Sequence, residues 1–252
     1  MARTLDLLIL AGTVFLSMRL FSTGLYSRYR VFFGYLIFAA LRTGLLSVFS
    51  IGSDAYEYLW VVTEPFEWLF YVMVVLEIYS LVLQDYRGLL TAGRWLLITA
   101  VTVALFASGL SLMAPSQYTT QGHLMHYYYV AERAVYFSLV VFLVSILGLL
   151  MQYPIRLSRN IIVHSMVFSI YFLGNTVLYL LVSMRSKGSL HALSLALEAL
   201  TIVTLGAWLV MLKPSGEGRK QSLRPQWMPG REEELVSQLN HLNAALLRVA
   251  RK

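Results

Sequence analysis

The 252-residue chain has no cysteine, which excludes disulfides, thiolate metal sites and cysteine nucleophiles. It has no Asn-x-Ser/Thr sequon, in keeping with a bacterial or otherwise unglycosylated protein. No lysine falls inside an apolar run, so a retinal Schiff base within the spans is excluded. The His-Glu-x-x-His and Gly-x-Ser-x-Gly patterns are missing, and no nucleophile sits beside a base in sequence, so an enzyme is not expected. Charge is scarce as well: only 13% of residues are Asp, Glu, Lys or Arg.

What is present is apolar. Hydrophobic residues make up 58% of the chain and the mean hydropathy is +0.66, too apolar for one soluble domain and long enough for several membrane spans. The net charge of +7 falls between apolar runs and in the tail, where membrane topology and anionic headgroups favour it, so nucleic acid is set aside as a partner.

Seven apolar runs approach the roughly 20 residues a spanning helix needs: Leu5–Phe21, Val31–Ile51, Tyr56–Leu83, Trp95–Met113, His126–Met151, Asn160–Met184 and Leu190–Leu212. The fold class expected is an all-α integral membrane protein, a seven-helix transmembrane bundle over 1–212. The first run, after Arg3, lacks a small-x-small cleavage site and reads as a retained helix. Arg19, Arg28 and Arg30 follow it, Arg87 and Arg94 follow the third run, and Arg156 and Arg159 follow the fifth. Loops rich in Lys and Arg stay cytoplasmic, so the N-terminus is expected outside and the C-terminus inside, in a bilayer such as the bacterial inner membrane. Arg185 and Lys187 alone run against the alternation.

Residues 213–230 read as a basic, Pro/Gly-rich flexible linker, and 231–252 as a cytoplasmic amphipathic helix. Glu232, Glu233 and Glu234 open that helix and Arg248, Arg251 and Lys252 close it, as the helix dipole favours. Leu235, Leu239, Leu242, Leu246 and Val249 are spaced four, three, four, three, a coiled-coil seam. The face predicts a homodimer, a cytoplasmic protein partner or a helix lying on the membrane.

The polar residues inside the spans carry any chemistry there is. Glu64 and Glu67 flank Pro65 and share a helical face. Counted from the outer helix ends at about 1.5 Å per residue, they fall at one level with Arg42, Glu132, Asn175 and Glu198. With Arg133 added, two cations face four carboxyls, so the layer is expected to hold protons, a cation or water. A purely structural layer of hydrogen-bonded polar groups is the plain alternative. On the inner side Glu77 and His164 form a possible second pair. His123 and His126, ahead of Tyr127–Tyr129, suit an aromatic belt better than a metal site. Asp85-Tyr86-Arg87 has the wrong residue order for the acidic-Arg motif of heptahelical receptors.

No cofactor is expected, although an unknown cation is compatible with the acid layer. The leading expectation is a heptahelical sensor or receptor-like protein that binds a small ligand, cation or proton in the layer and signals through its terminal helix. The alternatives are a small transporter or channel subunit, since helices one to three and five to seven could be parallel repeats, and a non-catalytic scaffold subunit of a membrane complex.

Overall fold

Within the described residues each apolar run forms the body of one helix, the structure that satisfies backbone N–H and C=O groups within the segment and that a lipid setting would require. The computed structural model describes residues 2–49, 53–84, 86–112, 123–152, 156–184, 190–218, 220–222 and 232–250. The helices are α1 (Ala2–Ser22), α2 (Arg30–Val48), α3 (Asp54–Val82), α4 (Arg87–Leu112), α5 (His123–Gln152), α6 (Arg159–Met184), α7 (Leu190–Met211) and α8 (Glu232–Ala250). Two three-residue strands, β1 (Arg156–Ser158) and β2 (Lys220–Ser222), pair antiparallel with Leu157 opposite Gln221.

Consecutive helices pack side by side, α7 returns to α1, and α3 reaches inward to α5 and α6. The buried core runs along this inner face through Phe32, Tyr71, Val75, Leu139 and Phe168. Large apolar side chains point the other way: Phe15, Met18, Leu41, Leu69, Val203 and Val210 are all more than half exposed. A soluble protein does not leave so much apolar surface in water. Among the described residues five helices are long and apolar enough to cross a membrane: α1, α2, α3, α6 and α7. The apolar part of α4, Gly88–Val103, is shorter.

Local chemistry sets the helix ends. Ser53 caps α3 by accepting the Tyr56 amide at 3.3 Å, and Asp54 and Glu57 follow in the first turn, favoured by the positive end of the helix dipole. Pro65 does not end α3, which runs unbroken through it. Gly24, with φ of 73°, takes the left-handed conformation that ends α1 and admits a short 3-10 turn before α2.

The segment expected to be a flexible linker from Lys213 is ordered in its first part. Pro214–Gly216 forms a 3-10 turn and Lys220–Ser222 is the strand β2. The cause is a set of polar partners that sequence distance conceals. The buried Asn160 amide donates to the Lys213 carbonyl and to Glu217 Oε1, both at 2.8 Å. Tyr29 donates to Glu217 Oε1 at 2.6 Å, Arg28 pairs with Glu217 Oε2 at 2.9 Å, and Arg19 donates to the Leu212 carbonyl at 3.0 Å. These contacts gather the loops after α1, α5 and α7 at one end of the bundle, called the tail end below. Residues 223–231, and with them Pro225, Pro229 and Gly230, lie outside the described residues.

The helix α8 lies on α4. Leu239 is buried within the chain, and Asn243 Oδ1 accepts the Gly88 amide at 2.6 Å. The expected seam is therefore partly occupied by the chain itself. Leu239, Asn243 and Leu246 face α4, while Leu242 remains exposed. The side chains of Leu235 and Val249 are outside those described, as are Arg185 and Lys187, Asp85 and the side chains of His123–Tyr129.

Candidate functional site

The acid layer forms where α2, α3, α5 and α6 meet. Arg42 of α2 donates through Nε to Thr63 Oγ1 at 2.9 Å and forms ion pairs with both Glu64 and Glu67 through its two terminal nitrogens. A guanidinium presents donors in a fixed fork, which is why one arginine can hold two carboxylates three residues apart on a helix. Glu64 and Glu132 are both buried, and Glu132 lies against Glu64. Tyr136, one turn along α5, donates to Glu132 Oε1 at 3.0 Å.

Four tyrosines extend the layer, none of them singled out by the sequence. Tyr71 donates to Glu67 Oε1 at 2.6 Å, and its hydroxyl meets those of Tyr171 at 3.0 Å and Tyr35 at 3.3 Å. Tyr136 stands beside Tyr71 with ring centroids 5.5 Å apart. The signal was available: a tyrosine at i+4 from a glutamate within an apolar run shares its helical face, as Glu67–Tyr71 and Glu132–Tyr136 both do. Tyrosines scattered through apolar runs nonetheless read first as interfacial anchors.

The remaining expected residues divide. Asn175 is buried, but its amide donates to the Tyr171 carbonyl of its own helix at 2.8 Å. Glu198 is half-buried on α7 and, with Asp6 and Arg42, lies within electrostatic reach of Tyr56. Arg133 is half-buried, on a face of α5 turned about 100° from Glu132, as neighbours on a helix are.

Glu77 and His164 do not form a pair. Glu77 caps α2 instead, its oxygens accepting the amides of Val31 at 2.8 Å and Phe32 at 3.0 Å. A helix N-terminus has orphan donors and partial positive charge, so it captures the carboxylate. Across the Phe32 ring, His164 is fully buried in a box of Tyr29, Phe32, Phe168 and Trp208, with ring centroids 4.5 to 5.9 Å away. Neither of its ring nitrogens has a hydrogen-bond partner among the described residues.

This box joins the acid layer to the tail end. From Tyr71 the rings of Phe172, Phe168, His164 and Tyr29 follow one another at centroid separations of 5.3, 5.3, 4.9 and 5.2 Å. All five are buried, and the Tyr29 hydroxyl ends the column on Glu217. Burial, with the Glu217 carboxylate beside it, raises the Tyr29 hydroxyl above its ordinary range, so it stays a donor.

Comparison with protein-family models, with characterised proteins and with solved structures gives no match in any of the three.

Proposed function

We propose that the chain is a seven-span membrane sensor, N-terminus outside and tail in the cytoplasm, that binds a small ligand, cation or proton at the acid layer and passes its state to the C-terminal segment. At 26 and 30 residues, α4 and α5 are long enough at about 1.5 Å per residue to supply the sixth and seventh spans. A bacterial inner membrane is the setting proposed. The observation that carries the reading is the column of buried rings from Tyr71 to Tyr29, because it ties the charged layer physically to Glu217 and so to the ordered start of the tail. Packed interiors respond to a change at one end by switching arrangement rather than by yielding locally, which gives such a column a means of transmission. The output surface in this reading is α8, through its exposed face around Leu242, toward a cytoplasmic partner or a second copy.

A scaffold role is the second reading, and the saturation of Arg42 by Thr63, Glu64 and Glu67 favours it. Melting curves of the purified protein across pH and a panel of mono- and divalent cations separate the two. A sensor layer gives a proton- or cation-dependent shift in wild type that Glu67→Gln or Glu198→Gln abolishes. A scaffold gives curves that do not move with any cation, and pH responses that persist unchanged in both variants.

A further inference from the structure

At the end of the bundle away from the tail, a cleft of about 250 Å³ opens between α1, α2 and α3, lined by Asp6, Thr43, Ser47, Phe49 and Tyr56 with Leu7 and Leu46. This is small for a drug-sized ligand and suited to a compact one. Among the described residues its lining contains one formally charged side chain, the Asp6 carboxylate. Two aromatic rings, Phe49 and Tyr56, and two hydroxyls, Thr43 and Ser47, share the walls.

Among the described residues the charges around the cleft are mostly negative. Tyr56 lies within electrostatic reach of Asp6, Glu198 and Arg42, and the one cation of that set is committed to Glu64 and Glu67. A carboxylate facing aromatic rings in a half-apolar recess is the chemistry that recognises an ammonium group, by a charge-assisted hydrogen bond on one side and ring quadrupoles on the other. Hydroxyls at Thr43 and Ser47 offer acceptors for its remaining N–H groups. Anions are disfavoured by Asp6, and a bare divalent ion would find one carboxylate where it needs several oxygen ligands.

We infer that this cleft is a binding site for a small organic amine cation, with Asp6 as its counter-ion and Phe49 and Tyr56 as its walls. The inference rests on the sensor reading for its consequence: Tyr56, a wall of the cleft, lies within electrostatic reach of Arg42, so a bound ammonium enters the field of the arginine that clamps Glu64 and Glu67. Occupancy adds positive charge there and loosens the hold of that arginine on its two acids, which gives the acid layer an input from outside.

The test is binding to the full-length protein in detergent, by calorimetry and by thermal shift. The probes are n-butylammonium and benzylammonium, with benzyl alcohol and sodium chloride as uncharged and ionic-strength controls. The amines bind and the controls do not. Asp6→Asn, which keeps the side-chain shape, weakens amine binding by about tenfold or more, the scale of one charge-assisted hydrogen bond. Ser47→Leu, which fills the cleft from the other wall, does the same should Asp6→Asn purify poorly, and Glu67→Gln, which frees Arg42 of one acid, shifts amine affinity without abolishing it. Absence of amine binding in wild type overturns the inference, as does binding that survives both Asp6→Asn and Ser47→Leu or that vanishes only in Glu67→Gln. The sensor reading is judged separately, by the pH and cation response of the Glu67 variant.

Discussion

Arg42 and Glu64 form an ion pair inside the bundle, with side chains 12% and 4% exposed. Removing Arg42 leaves Glu64 and Glu67 without their shared counter-charge, and breaking a buried pair in this way typically costs about 3–5 kcal/mol. Arg42→Met should therefore be among the most destabilising single changes in the spans. Arg42→Met combined with Glu64→Leu should recover part of the loss, because the more deeply buried acid leaves with the arginine and only Glu67 is left without it. Chemical denaturation in one detergent checks this, and a double variant at the additive sum of the two single losses would show that the pair is not coupled.

Glu77 holds the first turn of α2 through the amides of Val31 and Phe32. Glu77→Ala should cost about 1–2 kcal/mol, the scale of a lost N-cap with its dipole interaction. Glu77→Gln, which keeps a single acceptor oxygen, should lose less. His164→Phe should be neutral or stabilising, since the Glu77 carboxylate is engaged elsewhere and the imidazole nitrogens have no partner to lose among the described residues. Thermal unfolding of the three variants reads this directly, and a His164→Phe loss equal to that of Glu77→Ala would restore the expected pair.

Tyr29 gives the tail end an alkaline limit. Its hydroxyl donates to Glu217 and is shifted upward from an ordinary value of 10.0. A group raised on folding contributes its stability in full below the unfolded value and loses it as pH climbs through the folded one. The tail contacts should accordingly be insensitive to this group at neutral pH and weaken only in strong alkali. Tyr29→Phe should cost about 1–3 kcal/mol at neutral pH and remove the alkaline step. Unfolding midpoints followed from neutral to alkaline pH provide the check.

Gly88 is where α8 comes closest to α4. A Cβ there would strike the backbone oxygen of Asn243 and come within 3.2 Å of Leu246 Cβ, and backbone cannot swing aside as a side-chain tip can. Gly88→Leu should displace α8 and expose Leu239, seen as faster proteolysis of the C-terminal helix with the spans intact. Asn243→Ala, which removes only the acceptor for the Gly88 amide, should have a smaller effect in the same direction.

The helices were legible because lipid imposes one rule everywhere: apolar runs must be helical, and each run is bounded by charge or turn residues. The meeting of Arg42 with Glu64 and Glu67 was legible for a similar reason, since a buried guanidinium needs a carboxylate and an adjacent helix supplies two. The tail contacts were not. Asn160, Tyr29 and Glu217 are far apart in the chain, and nothing local marks Glu217, inside a Gly/Pro-rich stretch, as the acceptor for two loops. The Glu77–His164 pair failed for the opposite reason. Similar depth brought them together on paper, but the amides at the start of α2 were nearer and unsatisfied. For α8, heptad spacing put Leu239 and Leu246 on one face but could not say that α4 of the same chain would cover it.

In the proposed sensor the acid layer and the tail are coupled through the ring column. A cysteine-free chain allows one label to be placed without background. An environment-sensitive fluorophore on Ser237→Cys, an exposed position of α8, reads the tail while pH and cations are varied in liposomes. Coupling through the column gives a wild-type response that Glu67→Gln abolishes at its source and Phe168→Ala weakens at mid-column, with the melting response of the acid layer to pH and cations preserved in the Phe168 variant. A tail signal that stays constant in wild type across every condition, or that changes equally in all three proteins, would contradict it.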